Sequence, residues 1–237
     1  MSLRNLTAAL CGVVLLAASQ ANASLLISGV YDGPLPGGDP KGVELYATAD
    51  IADLSLYGIG SANNGDGTDG VEATLPAGSL SAGDFYYVAN AADGDFTQWF
   101  GFAPDFVAPG GAVNHNGDDA IELFFDATGL FTGSESVIDT FGDINTDGTG
   151  EAWDSLDGWA YRNDGVGPNG GVFDAADFYY SGADAWDGDD NNVGTDDGTN
   201  ATSTPPFPTG TFQMVPEPTS IALFLLGMTG LVVSRKR

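Results

Sequence analysis

From Ser24 onward the apolar positions fall in short runs rich in β-branched and aromatic residues, separated by Gly, Asp, Asn and Pro clusters. No part of this body sustains a helical period over three turns, so the pattern predicts strands. They are expected at Leu25–Tyr31, Gly42–Thr48, Leu54–Ile59, Val71–Leu75, Asp84–Asn90, Ala120–Phe125, Val137–Phe141 and Gly158–Arg162. A helical turn is expected at Phe96–Phe100, where Phe96, Trp99 and Phe100 would share one face. Short strands broken at intervals by turn residues predict an all-β domain, a sandwich or a barrel.

The ends are patterned differently. Residues 1–23 carry Arg4, an apolar core from Leu6 to Ala18, and Ala21-Asn22-Ala23 as a small-x-small site. These are the three parts of a secretory signal, with signal peptidase expected to cut after Ala23. At the other end, Val215-Pro216-Glu217-Pro218 precedes the apolar stretch Ile221–Val233 and the basic trio Arg235-Lys236-Arg237. Prolines forbid helix before the apolar stretch. The stretch itself predicts a short transmembrane helix at 219–233, held with its basic end in the cytoplasm. The expected organisation is a leader (1–23), one β-domain (24–188), an acidic Gly/Asp/Thr/Pro linker (189–214) and the tail (215–237).

Charge narrows the partners. The whole chain carries 6 basic against 33 acidic residues. Between Ser24 and Pro216 only Lys41 and Arg162 face 32 acids, a net of −30. Such a surface repels nucleic-acid backbones, whose binding draws on Lys and Arg, and instead gathers divalent cations. Acidic, Gly-rich chains often stay disordered, but 43% hydrophobic and 11% aromatic residues predict a folded core. The single cysteine, Cys11, lies in the leader, so the exported chain is expected to hold no thiol.

Two resemblances follow from the quoted residues. The order Pro216-Glu217-Pro218, apolar stretch and basic end resembles the PEP-CTERM sorting signal of Gram-negative bacteria. That resemblance implies export across the inner membrane, transient anchoring, removal of the tail by an exosortase, and a link to exopolysaccharide and biofilm. Within the body, Glu44-Leu45-Tyr46, Asp53-Leu54-Ser55-Leu56-Tyr57, Asn116-Gly117-Asp118-Asp119-Ala120 and Val137–Gly142 resemble, in that order, the lamin-tail domain. This likeness, from about Ser24 to Gly188, implies an immunoglobulin-like β-sandwich. Trp153, Trp159, Tyr161 and Arg162 fit its closing strand region.

The sharpest candidate site is Asp143-Ile144-Asn145-Thr146-Asp147-Gly148-Thr149-Gly150-Glu151-Ala152-Trp153-Asp154. Oxygen ligands at positions 1, 3 and 5 with Gly at 6 let a chain wrap one Ca²⁺. Asp143, Asn145, Asp147, Thr149, Glu151 and Asp154 are the expected ligands, although Asp154 and Gly150 depart from the EF-hand pattern and the flanks read as strands. An acidic turn without metal is the competing reading. Asn63–Asp69 and Asp187–Asp197 are oxygen-rich without clean spacing. Catalysis finds little footing: His115 is the only histidine, so zinc and Cys/His nucleophile arrangements are missing. The expectation is a non-catalytic surface or matrix protein binding exopolysaccharide with calcium's help. The rival is a secreted hydrolase of polysaccharide or nucleic acid.

Overall fold

The computed structural model describes residues 24–90, 93–192 and 206–214. The expected leader with Ala21 and Ala23, the motif Pro216-Glu217-Pro218 and the 219–233 helix lie outside the described residues. No helix among the described residues is long and apolar enough to cross a membrane.

Among the described residues ten strands form two sheets. They are β1 (Leu25–Leu35), β2 (Asp39–Ala47), β3 (Tyr57–Ala62), β4 (Ala73–Thr74), β5 (Phe85–Ala89), β6 (Phe106–Val107), β7 (Ala120–Phe125), β8 (Ser136–Phe141), β9 (Gly158–Arg162) and β10 (Phe178–Tyr180). The α-helix α1 (Asp93–Phe100) covers the predicted helical turn. The six-stranded sheet runs β10-β9-β1-β2-β5-β6 and the four-stranded sheet β4-β3-β7-β8. All pairings are antiparallel except β5 with β6. Every predicted strand is present in some form. The Leu54–Ile59 segment opens as a 3-10 turn, Leu54–Leu56, because Asp53 accepts the Ser55 N–H and hydroxyl and so favours a turn. Two strands escape the periodicity, β6 and β10, which have two and three residues.

Between the sheets lies an aliphatic core. Leu25, Ile27, Val30, Val43, Leu45 and Val88 of the larger sheet meet Ile59, Ile121, Leu123, Ile138 and Phe141 of the smaller one. Ile27 and Val30 both face inward although three residues apart, because a β-bulge at Ser28 resets the alternation. The larger sheet also buries its other face. Leu26, Tyr31, Trp159 and Tyr161 stand there against Phe96 and Trp99 of α1, and against Trp186, Phe207 and Phe212. The domain is therefore a two-sheet sandwich with a third, aromatic layer outside.

The third layer corrects the linker expected at 189–214. Residues 206–214 are a strap packed across the sheet, with Phe207 and Phe212 each 2% exposed. Phe207 sits edge-on to Tyr31, Trp159 and Tyr161. A Cβ on Gly29 would stand 2.4 Å from the Phe207 ring, so this strand position admits only glycine at that approach. Polar groups fix the strap as firmly. Gly210 N–H donates to Glu44 at 2.7 Å, and Thr211 and Phe212 N–H both donate to the Tyr161 hydroxyl. Pro and Thr content marks this stretch as a linker; two buried phenyl groups outweigh it.

A buried ion pair joins the layers. Asp139 of β8 accepts from Arg162 of β9 at 2.6 Å, and neither side chain reaches solvent. Asp139 also accepts the Ile27 N–H, while Arg162 Nε donates to the Ile27 carbonyl. Arg162 lies over the Phe178 ring at 4.6 Å.

Truncating Phe207 to alanine is expected to cost about 3–5 kcal/mol, the usual loss for a buried phenyl group. Chemical denaturation of the intact protein measures it. A change below about 1 kcal/mol would mean that the strap is dispensable to the domain.

Candidate binding cleft at the Asp143–Asp154 loop

The segment following β8 is anchored by the Asn116–Asp119 turn. Gly117 adopts a φ of +77°, and a Cβ there would meet Leu156 N at 2.1 Å, so the turn needs glycine on both counts. Its carbonyl accepts from Ser155 N–H and Oγ. Asp118 accepts the Gly148 N–H through its carbonyl and the Thr149 hydroxyl through Oδ2. Asp119 accepts the Asn64 N–H at 2.8 Å. The motif most legible in the sequence is thus the clamp that holds the loop.

The six expected calcium ligands divide into two sets. Asp143, Asn145 and Glu151 line a cleft of about 510 Å³ together with Trp153, Phe173 and Asp174. Asp147, Thr149 and Asp154 are not part of that lining. Asp147 accepts the Thr149 N–H, Thr149 donates to Asp118, and Asp154 accepts the Gly150 and Leu156 N–H groups. Asp143 accepts from Asn145 N–H and the Thr146 hydroxyl, and these bonds hold its carboxyl below the usual carboxylate range. The Thr149 N–H does the same for Asp147. Both stay ionised in neutral and mildly acidic solution.

The cleft floor is aromatic. Trp153 meets Phe141 edge-on, and Phe173 packs against both rings. Three carboxylates at an aromatic floor suit a cation or a hydroxylated ligand, and repel an anion.

Sequence spacing misses the tightest acidic group. Asp157, Asp184 and Asp187 bring carboxylate oxygens within 4.8 Å of one another, the one such group of three among the described residues. Burial first, then the charges of Asp187 and Asp184, raise the Asp157 carboxyl above its ordinary value. A contact across 27 positions leaves no local pattern; in the sequence Asp187 is only the first residue of an oxygen-rich run.

His115 is fully buried. Its Nε2 lies 3.2 Å from the Gly42 carbonyl and its Nδ1 accepts the Gly117 N–H, an arrangement that suits the neutral ring. Burial, reinforced by Lys41, pushes its pKa down to about 3. The only two cations between Ser24 and Pro216 are also internal. Lys41 pairs with Asp32 at 2.8 Å and bonds Asn116 Oδ1, and Arg162 pairs with Asp139. The surface of the described domain is consequently acidic without an exposed Lys or Arg. Burial lifts the Asp32 carboxyl to about 7 against the pull of Lys41.

Comparison with known proteins places one segment. Residues 215–237 match the PEP-CTERM protein-sorting motif, which marks exported proteins of the exosortase pathway. Neither the curated proteins nor the solved structures give a match to this chain.

The sole histidine offers a clean titration. Its ring signals, followed by NMR, are expected to stay those of the neutral form from pH 8 to 5. The unfolded chain takes up that proton near pH 6.5, so the histidine's contribution to stability is present above 6.5 and lost as pH falls towards 3. A midpoint near 6.5 in the folded protein would contradict the buried, neutral ring.

Proposed function

We propose that this chain is an exported, non-catalytic surface or matrix protein, processed by an exosortase, whose β-domain binds exopolysaccharide in a biofilm. The observation that carries the reading is the sorting motif at 215–237, which begins directly after the strap that closes the domain. Met214, the last described residue before it, packs against the outer aromatic layer. In the sequence the motif follows the strap with no residue between them.

The domain's chemistry supports binding over turnover. Its histidine is spent on backbone groups, and its cations are spent on internal aspartates. The acidic surface favours neutral or cationic polymers over polyanions. The two-sheet architecture agrees with an immunoglobulin-like sandwich, and kinship with the lamin-tail domain belongs to this proposal through the Asn116–Ala120 clamp and the Asp139–Arg162 pair.

Mass spectrometry of protein recovered from the cell surface tests the processing. The expected chain begins at Ser24 and ends before Ile221. A recovered chain that retains Ile221–Val233 would leave a permanently anchored protein, and release of reducing sugar from matrix polysaccharide would overturn the non-catalytic reading.

Calcium belongs to the proposal through Asp143, Asn145 and Glu151, the three expected ligands that share the cleft. Added Ca²⁺ is expected to raise the melting temperature, and Asp143→Asn or Glu151→Gln to remove most of the rise. A flat Ca²⁺ titration rejects this role and leaves the export reading untouched.

A further inference from the structure

A second groove, of about 300 Å³, lies on the opposite side of Arg162 from the ion pair, between the β9–β10 edge and the strap. Its walls are Tyr179 of β10 and Pro208 of the strap, and Trp159 and Tyr161 form its floor. Strand alternation explains the wall. Phe178 points into the core, so Tyr179 must point out, and it stands 54% exposed at the sheet edge. Its ring is not loose: it leans on Trp159 with centroids 5.5 Å apart and planes at 37°. An aromatic ring is therefore held beside the groove by a buried tryptophan, with more than half its surface in solvent.

The polar groups around it are acceptors. Asn163 donates through its N–H to Asp177 and through Nδ2 to the Ala176 carbonyl, which leaves Oδ1. Asp164 accepts the Gln213 N–H with Oδ1, which leaves Oδ2. Arg162 lines the same groove, but it is 1% exposed and each of its three nitrogens already has a partner, in Ile27, Gly167 and Asp139. The groove presents no free cation. A ligand suited to it needs an apolar face for Tyr179 and hydroxyl donors for two acceptor oxygens, and it must carry no negative charge.

We propose that this groove is a sugar subsite, in which an uncharged pyranose of a polysaccharide stacks its C–H face on Tyr179 and donates hydroxyls to Asn163 and Asp164. This assignment rests on the polysaccharide-binding reading above and supplies its contact site. A pyranose unit suits a groove at the small end of the usual ligand-pocket range. The aromatic face excludes water from the apolar side of the sugar, while the acceptors replace the water lost from its hydroxyls. The site is shallow and open at a sheet edge, so a polymer can pass through it rather than end in it.

Affinity gel electrophoresis of the intact processed protein tests the assignment. The probes are dextran, xylan, hydroxyethyl cellulose and the matrix polysaccharide stripped from the producing cells. Retardation by at least one of them is expected. Tyr179→Ala should weaken it roughly tenfold, by loss of the stacked face, and Tyr179→Phe and Tyr179→Trp should keep it. Tyr179→Thr, which retains strand propensity, is the paired variant should the alanine form fold poorly. If the alanine or threonine variant folds and binds as tightly as the native protein, the subsite is wrong while the polysaccharide reading stands. If the native protein is retarded by none of the probes, that reading fails and the subsite fails with it.

Discussion

The fold turns on how one irregularity in β1 is satisfied. At Ser28 the strand carries an extra residue, and beside it the β1–β9 ladder stops at Gly29. Ile27 would then have an N–H and a carbonyl buried without a strand partner, a costly state for backbone polar groups. Asp139 and Arg162 take both, and take each other. One side chain comes from each sheet. The pair thereby does the work of a missing rung and also fixes the sheets' relative position. Removing one member of such a buried pair typically costs about 3–5 kcal/mol, because the other charge is then stranded. Burial raises the Asp139 carboxyl, and the charge of Arg162 draws it back down.

The same bulge reaches outward through Glu44. Its carboxylate receives Ser28 Oγ at 2.7 Å, the Tyr161 hydroxyl at 2.8 Å and the Gly210 N–H at 2.7 Å. A buried carboxylate is tolerable only with such a set of donors. The strap is therefore seated on the interaction network that joins the sheets. Sheet closure and strap docking form one connected chain of contacts.

Much of the inner core was legible in the sequence. Gly42–Thr48, Ala120–Phe125 and Gly158–Arg162 lie close to the observed strands, since apolar side chains repeat there at the strand period. The outer layer was not legible. Phe207 and Phe212 stand in a Pro/Thr-rich stretch whose composition is that of a linker, and the aromatic rings they pack against are more than 45 positions away. The ligand spacing of the Asp143–Asp154 loop rests on residue order alone. It could not foresee that Asp118 would claim Thr149, or that Phe173 would bring a second wall to the cleft. Tyr179 went unseen because a three-residue edge strand has too few positions to show alternation.

The burial of Lys41 and Arg162 has a consequence for survival outside the cell. Proteases of trypsin-like specificity need a basic side chain in an accessible, extended peptide. Between Ser24 and Pro216 this chain offers two such residues, and the fold encloses both in strands, 4% and 1% exposed. The folded domain therefore holds no scissile bond that such an enzyme can reach. Resistance to that class of digestion comes built into the placement of two charges.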